Sequence, residues 1–331
     1  MEEGRKTMQL APDRTFAYVN QGENALYVGR FDLSRDALRR AHDYHLSGPL
    51  LLVLRYDLAF LESDHAGMQQ AVDAAQGQPD AMDLMADRQA FALAHAGQLR
   101  RARVLSRQAI DLAQQQGDRE RAAQFAARAA LREAFFGNTR ETKQAVTIAL
   151  NLEKNREIEY GAAVASALAG NAQLAESLAG ELENAFREDT SIHFSYLPVI
   201  RAILALRRGE PLKAVEALET AAPYESGVPR CALTGFFGSL YPILVRGQAY
   251  LAARKGPEAA REFQKLLNHQ GTMIGDPVSV LAHYGLARAY SLSGDANKAR
   301  EQYREFFADW KDADPDIPIL QQAKIEYRKL Q

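Results

Sequence analysis

An internal repeat constrains this chain more than any other feature of its sequence. Its clearest copy consists of Leu286, Ala287, Tyr290, Gly294, Ala299 and Tyr303. In the seven other copies, of which those at Ser63, Gly97, Gly137, Gly170 and Gly209 are weaker, the position of Gly294 is taken by Gly29, Ser63, Gly97, Gly137, Gly170, Gly209 and Arg254. Neighbouring anchors are 33 to 45 residues apart, which leaves room in each unit for two helices joined by a turn.

The residue types in the repeat suit a helical hairpin. Glycine at the anchor ends the first helix, because it adopts a left-handed conformation without steric cost. A carboxylate often follows, as in Gly294-Asp295 and Gly209-Glu210, and supports the start of the second helix. Small residues are expected where the two helices approach closely; they are Gly22, Ala130, Ala163, Ala202, Gly247 and Ala287 in the first helices and Ala102, Ala175, Ala214, Ala259 and Ala299 in the second.

This pattern resembles the tetratricopeptide repeat (TPR), a helix–turn–helix unit of about 34 residues. The resemblance is specific in units one, seven and eight and degenerate in units two, four and five, where Met68 and Thr142 replace an expected alanine. It implies an all-α fold: a right-handed superhelical solenoid of about eight TPR-like hairpins with a C-terminal capping helix.

The anchors divide the chain into five segments. Residues 1–13 are expected to be the tail helix of a preceding repeat, residues 14–222 repeats one to six, residues 223–235 an inserted loop, residues 236–312 repeats seven and eight, and residues 313–331 the capping helix. Asp316 is the expected N-cap of that last helix. A polar terminal helix would cover the exposed end of the solenoid core.

Several runs are similar to the C-terminal repeat region of acidobacterial eukaryotic-like serine/threonine kinases. They are Leu251–Ala253, Glu262–Leu267, Leu286–Tyr290, Trp310–Pro318, Ala130–Ala134 and Ala221–Glu225. In such kinases the catalytic domain comes first, commonly followed by a membrane segment and then repeats. The resemblance implies the sensor or docking region of a bacterial kinase, on the cytoplasmic or periplasmic side of its membrane. Similar repeats also follow winged-helix regulators, so the alternative is the ligand-sensing region of a transcriptional regulator.

Composition and motifs point away from other functions. The net charge of −2 argues against direct binding of nucleic acid. The longest uncharged stretch, Cys231–Val245, has 15 residues, short of the about 20 that a spanning helix needs, so no membrane insertion is expected. Kinase, hydrolase-elbow and zinc-protease motifs are missing from the sequence, and we predict no catalytic residue, no cofactor and no metal.

Three residue groups offer alternatives to that prediction. The only cysteine, Cys231, is a candidate nucleophile if a base lies nearby, as a hydrolase or transferase on this array would require. His42 and His45 could share a helix face as metal ligands but lack a third ligand. A basic stretch of Arg100, Arg101, Arg103, Arg107, Arg119, Arg121, Arg128 and Arg132 could bind phosphate, although acidic neighbours favour a solvated face with weak ion pairs.

The inner face of the superhelix is the predicted partner site. In such an array the first helix of each unit lines the concave side. Placed on the anchors, the inward positions are rich in aromatic and apolar residues, which favours a protein or peptide partner in the groove. In units seven and eight they are Tyr241, Leu244, Gln248, Leu251, Leu281, Tyr284, Arg288 and Ser291. We predict as contact residues Tyr160, Tyr196, Tyr241, Tyr284 and Arg288. The alternative is that tight winding buries these side chains against neighbouring units.

Overall fold

The computed structural model describes residues 2–227 and 240–330, and this part of the chain is all-α. Its nineteen α-helices are α1 Glu2–Leu10, α2 Thr15–Tyr27, α3 Phe31–Asp43, α4 Pro49–Leu61, α5 His65–Ala75, α6 Pro79–His95, α7 Leu99–Gln115, α8 Arg119–Phe135, α9 Thr139–Leu152, α10 Arg156–Leu168, α11 Ala172–Ala185, α12 Leu197–Arg207, α13 Pro211–Ala217, α14 Tyr241–Ala252, α15 Gly256–Leu267, α16 Gln270–Met273, α17 Pro277–Leu292, α18 Ala296–Asp309 and α19 Pro318–Arg328. A π-helical turn, Ile192–Tyr196, leads into α12, and a 3₁₀ turn, Glu219–Ala221, follows α13.

These helices form eight antiparallel hairpins in series, which confirms the predicted solenoid. The pairs are α2/α3, α4/α5, α6/α7, α8/α9, α10/α11, α12/α13, α14/α15 and α17/α18, and the two helices of each pair contact each other. Helix α1 packs on α2, and its assignment to a preceding repeat stays a prediction. Of the predicted inserted loop, only residues 223–227 lie in the described part of the chain.

The turn inside each hairpin is left-handed, as the anchors predicted. The six glycine anchors have φ between +70° and +87°. The two anchors without glycine adopt the same conformation, with φ of +56° at Ser63 and +57° at Arg254. A side chain in this region crowds the following carbonyl, so both positions carry strain of about 1–2 kcal/mol. The packing of the two helices of a hairpin therefore imposes the left-handed turn even where the anchor is not glycine.

Capping of the second helices follows the prediction in part. The Asp295 carboxylate accepts a hydrogen bond from the Lys298 backbone N–H at 3.1 Å, at the start of α18. Glu210 occupies the equivalent position before α13, but its side chain makes no cap hydrogen bond and instead accepts one from Lys213 at 2.8 Å.

The first helices form the inner layer and the second helices the outer layer. Most first helices pack directly on the next one along the chain, from α2 through α17. Helices α6 and α8 meet through the ion pairs of Asp83 with Arg121 and of Asp87 with Arg128. Close approach depends on small residues: a Cβ on Gly247 of α14 would lie 2.9 Å from the Phe263 ring of α15. The largest core cluster extends from Val53 to Ala323, so units three to eight share one apolar interior. Unit one and most of unit two form smaller clusters of their own.

The C-terminal end of the array packs against unit three along a seam, which we define by His95, Gly97 and Arg100 of unit three and by Trp310 and Asp314 after α18. The Trp310 indole N–H donates to the His95 carbonyl at 2.8 Å. The Asp314 N–H donates to the Gly97 carbonyl at 3.0 Å, and the Asp314 carboxylate accepts from the Arg100 N–H at 2.7 Å. The superhelix thus closes on itself.

Two further contacts extend this closure. The Thr272 hydroxyl of α16 donates to the Tyr27 carbonyl of α2 at 3.0 Å. Asp316, which the sequence analysis predicted as the N-cap of the last helix, forms an ion pair with Arg100 at 3.1 Å instead. The N-cap of α19 is Ile317, so that prediction is wrong. The carboxylate is drawn across the seam because the cation of a distant unit lies within reach.

Candidate binding groove

A buried ionic cluster lies where neighbouring first helices cover each other's side chains on the inner face. We call this the closed part of the inner face. Arg88 pairs with Asp57 at 3.2 Å, and Arg128 forms an ion pair with Asp87. These four residues, on α4, α6 and α8, are each at most 7% exposed. Because every partner comes from a neighbouring first helix, the cluster ties the inner layers of units two, three and four together.

Arg132 completes this cluster. Its burial and that of Arg128 contradict the prediction of a solvated arginine face at these two positions, whereas Arg100, Arg101, Arg107 and Arg119 are exposed as predicted. The Arg128 and Arg132 guanidinium carbons lie 4.9 and 4.7 Å from the Phe91 ring centroid. Arg132 also donates to the Ser106 hydroxyl at 2.6 Å and is 3% exposed. The cations face inward because Asp87, on the preceding first helix, supplies a buried countercharge. Arg103 is half-buried and bidentate to Glu133.

Burial shifts the titration of the groups on this inner face. It raises the pKa of Asp57 to about 6 against the lowering effect of Arg88. It raises the pKa of Asp276 to about 6 and that of Glu23 to about 7. Burial also lowers the pKa of Arg128 to about 10. The cost of desolvating charge is therefore only partly offset by pairing.

Three of the predicted contact residues are part of this closed region. The Tyr160 and Tyr196 rings are stacked, with centroids 3.7 Å apart and an interplanar angle of 3°. The Tyr196 hydroxyl donates to the Glu157 carboxylate at 2.5 Å, and the Tyr241 hydroxyl to the Asp276 carboxylate at 3.1 Å. Each tyrosine is at most 1% exposed, which agrees with the alternative that tight winding buries these side chains against neighbouring units. Their contact with a partner stays a prediction.

The inner face is open at units seven and eight. Two adjoining cavities of about 430 and 320 Å³ share Leu251 and Arg288. Seven residues that the repeat frame placed on the concave side line them: Leu244, Gln248, Leu251, Leu281, Tyr284, Arg288 and Ser291. The last helix, α19, supplies the opposite wall. We call these two cavities together the groove.

Tyr284 and Arg288 lie side by side in the groove. The Arg288 guanidinium carbon is 5.5 Å from the Tyr284 ring centroid, and Arg288 Nε is 3.5 Å from a Glu326 carboxylate oxygen on α19. The Tyr303 hydroxyl donates to the same oxygen at 2.8 Å. The Arg288 side chain is 46% exposed, whereas Tyr284 is 9% exposed. The structure therefore presents Arg288 as the accessible group and Tyr284 as the ring that orients it.

A third cavity, of about 600 Å³, lies beside the seam and was missed by the sequence reasoning. It is lined from units two and three by residues that include Tyr56, Phe60 and His95, and from unit eight by His283. Burial, helped by His283, lowers the pKa of His95 to about 4. No repeat position marks this cavity, because it exists only where distant units meet.

The described residues hold no cluster of three or more histidine, cysteine, aspartate or glutamate side chains arranged for a metal ion. Cys231, the candidate nucleophile, lies outside the described residues. No helix within 2–227 or 240–330 combines the length and apolar character needed to cross a bilayer.

Comparison with solved structures gives TPR proteins. The chain is similar to the TPR domain of P58(IPK), with 15% identity and a TM-score of 0.28, over 100% of this chain and 82% of that one. It is also similar to yeast Tom70, with 14% identity and a TM-score of 0.46, over 99% of this chain and 84% of that one. No protein-family model and no curated protein sequence matches the chain. The assignment of the fold therefore rests on the hairpins and left-handed turns described above.

Proposed function

We propose that this chain is a non-catalytic scaffold that binds a protein or peptide segment in the groove of units seven and eight. One observation carries the proposal: the concave positions of these two units line adjoining cavities that share Leu251 and Arg288. Most concave positions of units three, five and six are buried by the chain itself, so units seven and eight offer a more accessible part of the predicted surface among the described residues.

The shape and chemistry of the groove suit the binding of a peptide better than catalysis. Cavities of about 320 and 430 Å³ match the usual size range of ligand sites. Leu244, Leu281 and Phe263 give one cavity an apolar wall, and Arg288 is a residue type enriched at binding hot spots. Apolar pockets beside a few charged groups provide affinity and orientation for side chains of a docked segment.

Selection from a random peptide library displayed on phage tests the proposal. Peptides selected on the wild-type chain are then measured with two variants, Ser291→Trp in the groove and Ser177→Trp on the outer helix α11. Both serines are exposed, so both variants are expected to fold. Because the new ring would fill the smaller cavity, Ser291→Trp should weaken binding about tenfold or more. Ser177→Trp should leave it unchanged. Equal affinities for both variants, or no selected peptide, would contradict the proposal.

We further propose that the scaffold belongs to a bacterial serine/threonine kinase. What supports this is the similarity of runs such as Glu262–Leu267 and Trp310–Pro318 to the repeat region of such kinases. The reading frame upstream of residue 1 tests it. A catalytic loop with His-Arg-Asp and an Asp-Phe-Gly motif is the expected result. A winged-helix domain there would assign the array to a transcriptional regulator instead.

A further inference from the structure

The smaller cavity of the groove is surrounded by positive charge. Arg254, Arg288 and Lys329 line it, and Glu326 is its only carboxylate in the described part of the chain. The chain as a whole has a net charge of −2, so this excess of cations is a local feature. Charge of one sign in a concave site attracts ligands of the opposite sign.

Among the described residues, two of these cations have no acidic partner of their own. Within residues 2–227 and 240–330, no carboxylate lies within 4.0 Å of the side-chain nitrogens of Arg254 or Lys329. Glu326 is engaged by Tyr303 at 2.8 Å and by Arg288 at 3.5 Å. The single carboxylate of Glu326 therefore leaves most of the positive charge around the cavity without a countercharge from the described residues.

Arg254 occupies a position where the backbone favours glycine. Six of the eight hairpin turns have glycine at this point, whereas Arg254 has φ of +57°. The strain of an arginine there is about 1–2 kcal/mol. Strained residues concentrate at functional sites, where the side chain is needed for a contact. At this turn the strained residue is also one that lines the cavity, which links the strain to the cationic site.

From these observations we propose that the groove binds an acidic peptide segment. A side-chain carboxylate of the segment pairs with Arg254, Arg288 and Lys329 in the smaller cavity. A neighbouring apolar side chain enters the larger cavity against Leu244 and Leu281. This inference rests on the proposed function and adds the chemical class of the partner.

The same phage-displayed library tests it, because the displayed peptides carry no free carboxyl terminus. A selected peptide is synthesised with an acetylated N-terminus, an amidated C-terminus and a fluorescent label. Its counterpart has every Asp and Glu changed to the amide. Binding is followed by fluorescence anisotropy with wild type, Arg254→Gln, Arg288→Gln and Lys329→Gln. Arg261→Gln is the matched control, since Arg261 is exposed on α15 and does not line the groove.

We expect the selected peptides to be enriched in acidic residues. Each groove variant should weaken binding of the acidic peptide about fivefold or more, and added salt should do the same. The amide counterpart should bind poorly to wild type, and Arg261→Gln should behave like wild type. Selected peptides without acidic enrichment, or equal binding of the amide counterpart, would overturn the acidic partner but leave the groove. If no peptide is selected, the proposed function itself fails.

Discussion

A single methyl group at Gly97 is expected to open the seam between unit three and the C-terminal end of the array. An added Cβ would lie 2.4 Å from the Ala313 Cβ and 3.2 Å from the Trp310 ring. Gly97 also has φ of +72°, which an alanine adopts at a cost of about 1 kcal/mol. Gly209→Ala is the matched control, because Gly209 has φ of +76° at the same point of its hairpin and, among the described residues beyond its chain neighbours, none has an atom within 4 Å of the added Cβ.

The difference between the two variants measures the seam. Relief of the clash requires residues 310–314 to move, which breaks the hydrogen bonds of Trp310 to His95 and of Asp314 to Gly97 and Arg100. Each such bond contributes about 1 kcal/mol. Gly209→Ala should therefore lower the free energy of unfolding by about 1 kcal/mol, and Gly97→Ala by about 2–4 kcal/mol.

Trp310 makes the measurement direct, since it is the only tryptophan in the chain. It is 3% exposed and packs against Phe136, with ring centroids 5.0 Å apart. Urea unfolding followed by circular dichroism gives the stability, and the emission spectrum of the native protein reports the seam. A red shift in Gly97→Ala, but not in Gly209→Ala, is expected. Equal losses of stability with unchanged emission would refute the closed arrangement.

Three further predictions concern single positions. Arg254→Gly should raise the free energy of unfolding by about 0.5–1 kcal/mol in urea titrations, because relief of backbone strain exceeds the entropy that glycine adds to the unfolded chain. The same variant should weaken binding of an acidic peptide. A loss of stability would contradict the strain argument. The native pKa of His95, about 4, lies below its ordinary value of 6.5, so wild type should lose stability as the pH falls from 6.5 to 4. His95→Gln should lose on the order of 2 kcal/mol less over that window, and parallel pH profiles of stability would count against this. Arg128→Met should cost about 3 kcal/mol or more, because Asp87 is left buried without its main partner. A second change, Asp87→Asn, should recover part of that loss, and failure to recover any would show that packing, not charge, is responsible.

The hairpins could be predicted from the sequence because their signals are local. The anchor frame located all eight hairpin turns and predicted the left-handed conformation of the glycine anchors; the same conformation occurs at Ser63 and Arg254, where the residue type alone argues against it. It did so because the spacing between small and aromatic residues on both helices fixes the turn between them. The same frame placed Leu244, Leu251 and Arg288 on the concave side, where they line the groove.

The closed part of the inner face could not be predicted in this way. Arg128 pairs with Asp87, a residue 41 positions earlier, and acidic neighbours in sequence suggested a solvated face instead. The stacking of Tyr160 on Tyr196 likewise depends on how tightly successive first helices approach. The curvature of the superhelix is the sum of small rotations between many units, so the sequence of a single repeat does not predict it. The seam cavity beside His95 has no sequence signal for the same reason.

Contact between Trp310 and His95 joins residues 215 positions apart, and this changes how the array is expected to fold. In an open repeat protein each unit depends only on its neighbours, so the ends fray independently and partly folded species accumulate. Here the last hairpin can complete its packing only after units two and three are in place. Because closing so long a loop is entropically unfavourable, ring closure should be a late and slow step of folding. Loss of structure in the last hairpin should then spread to units two and three, and the reverse, which gives a repeat protein the all-or-none unfolding of a globular domain.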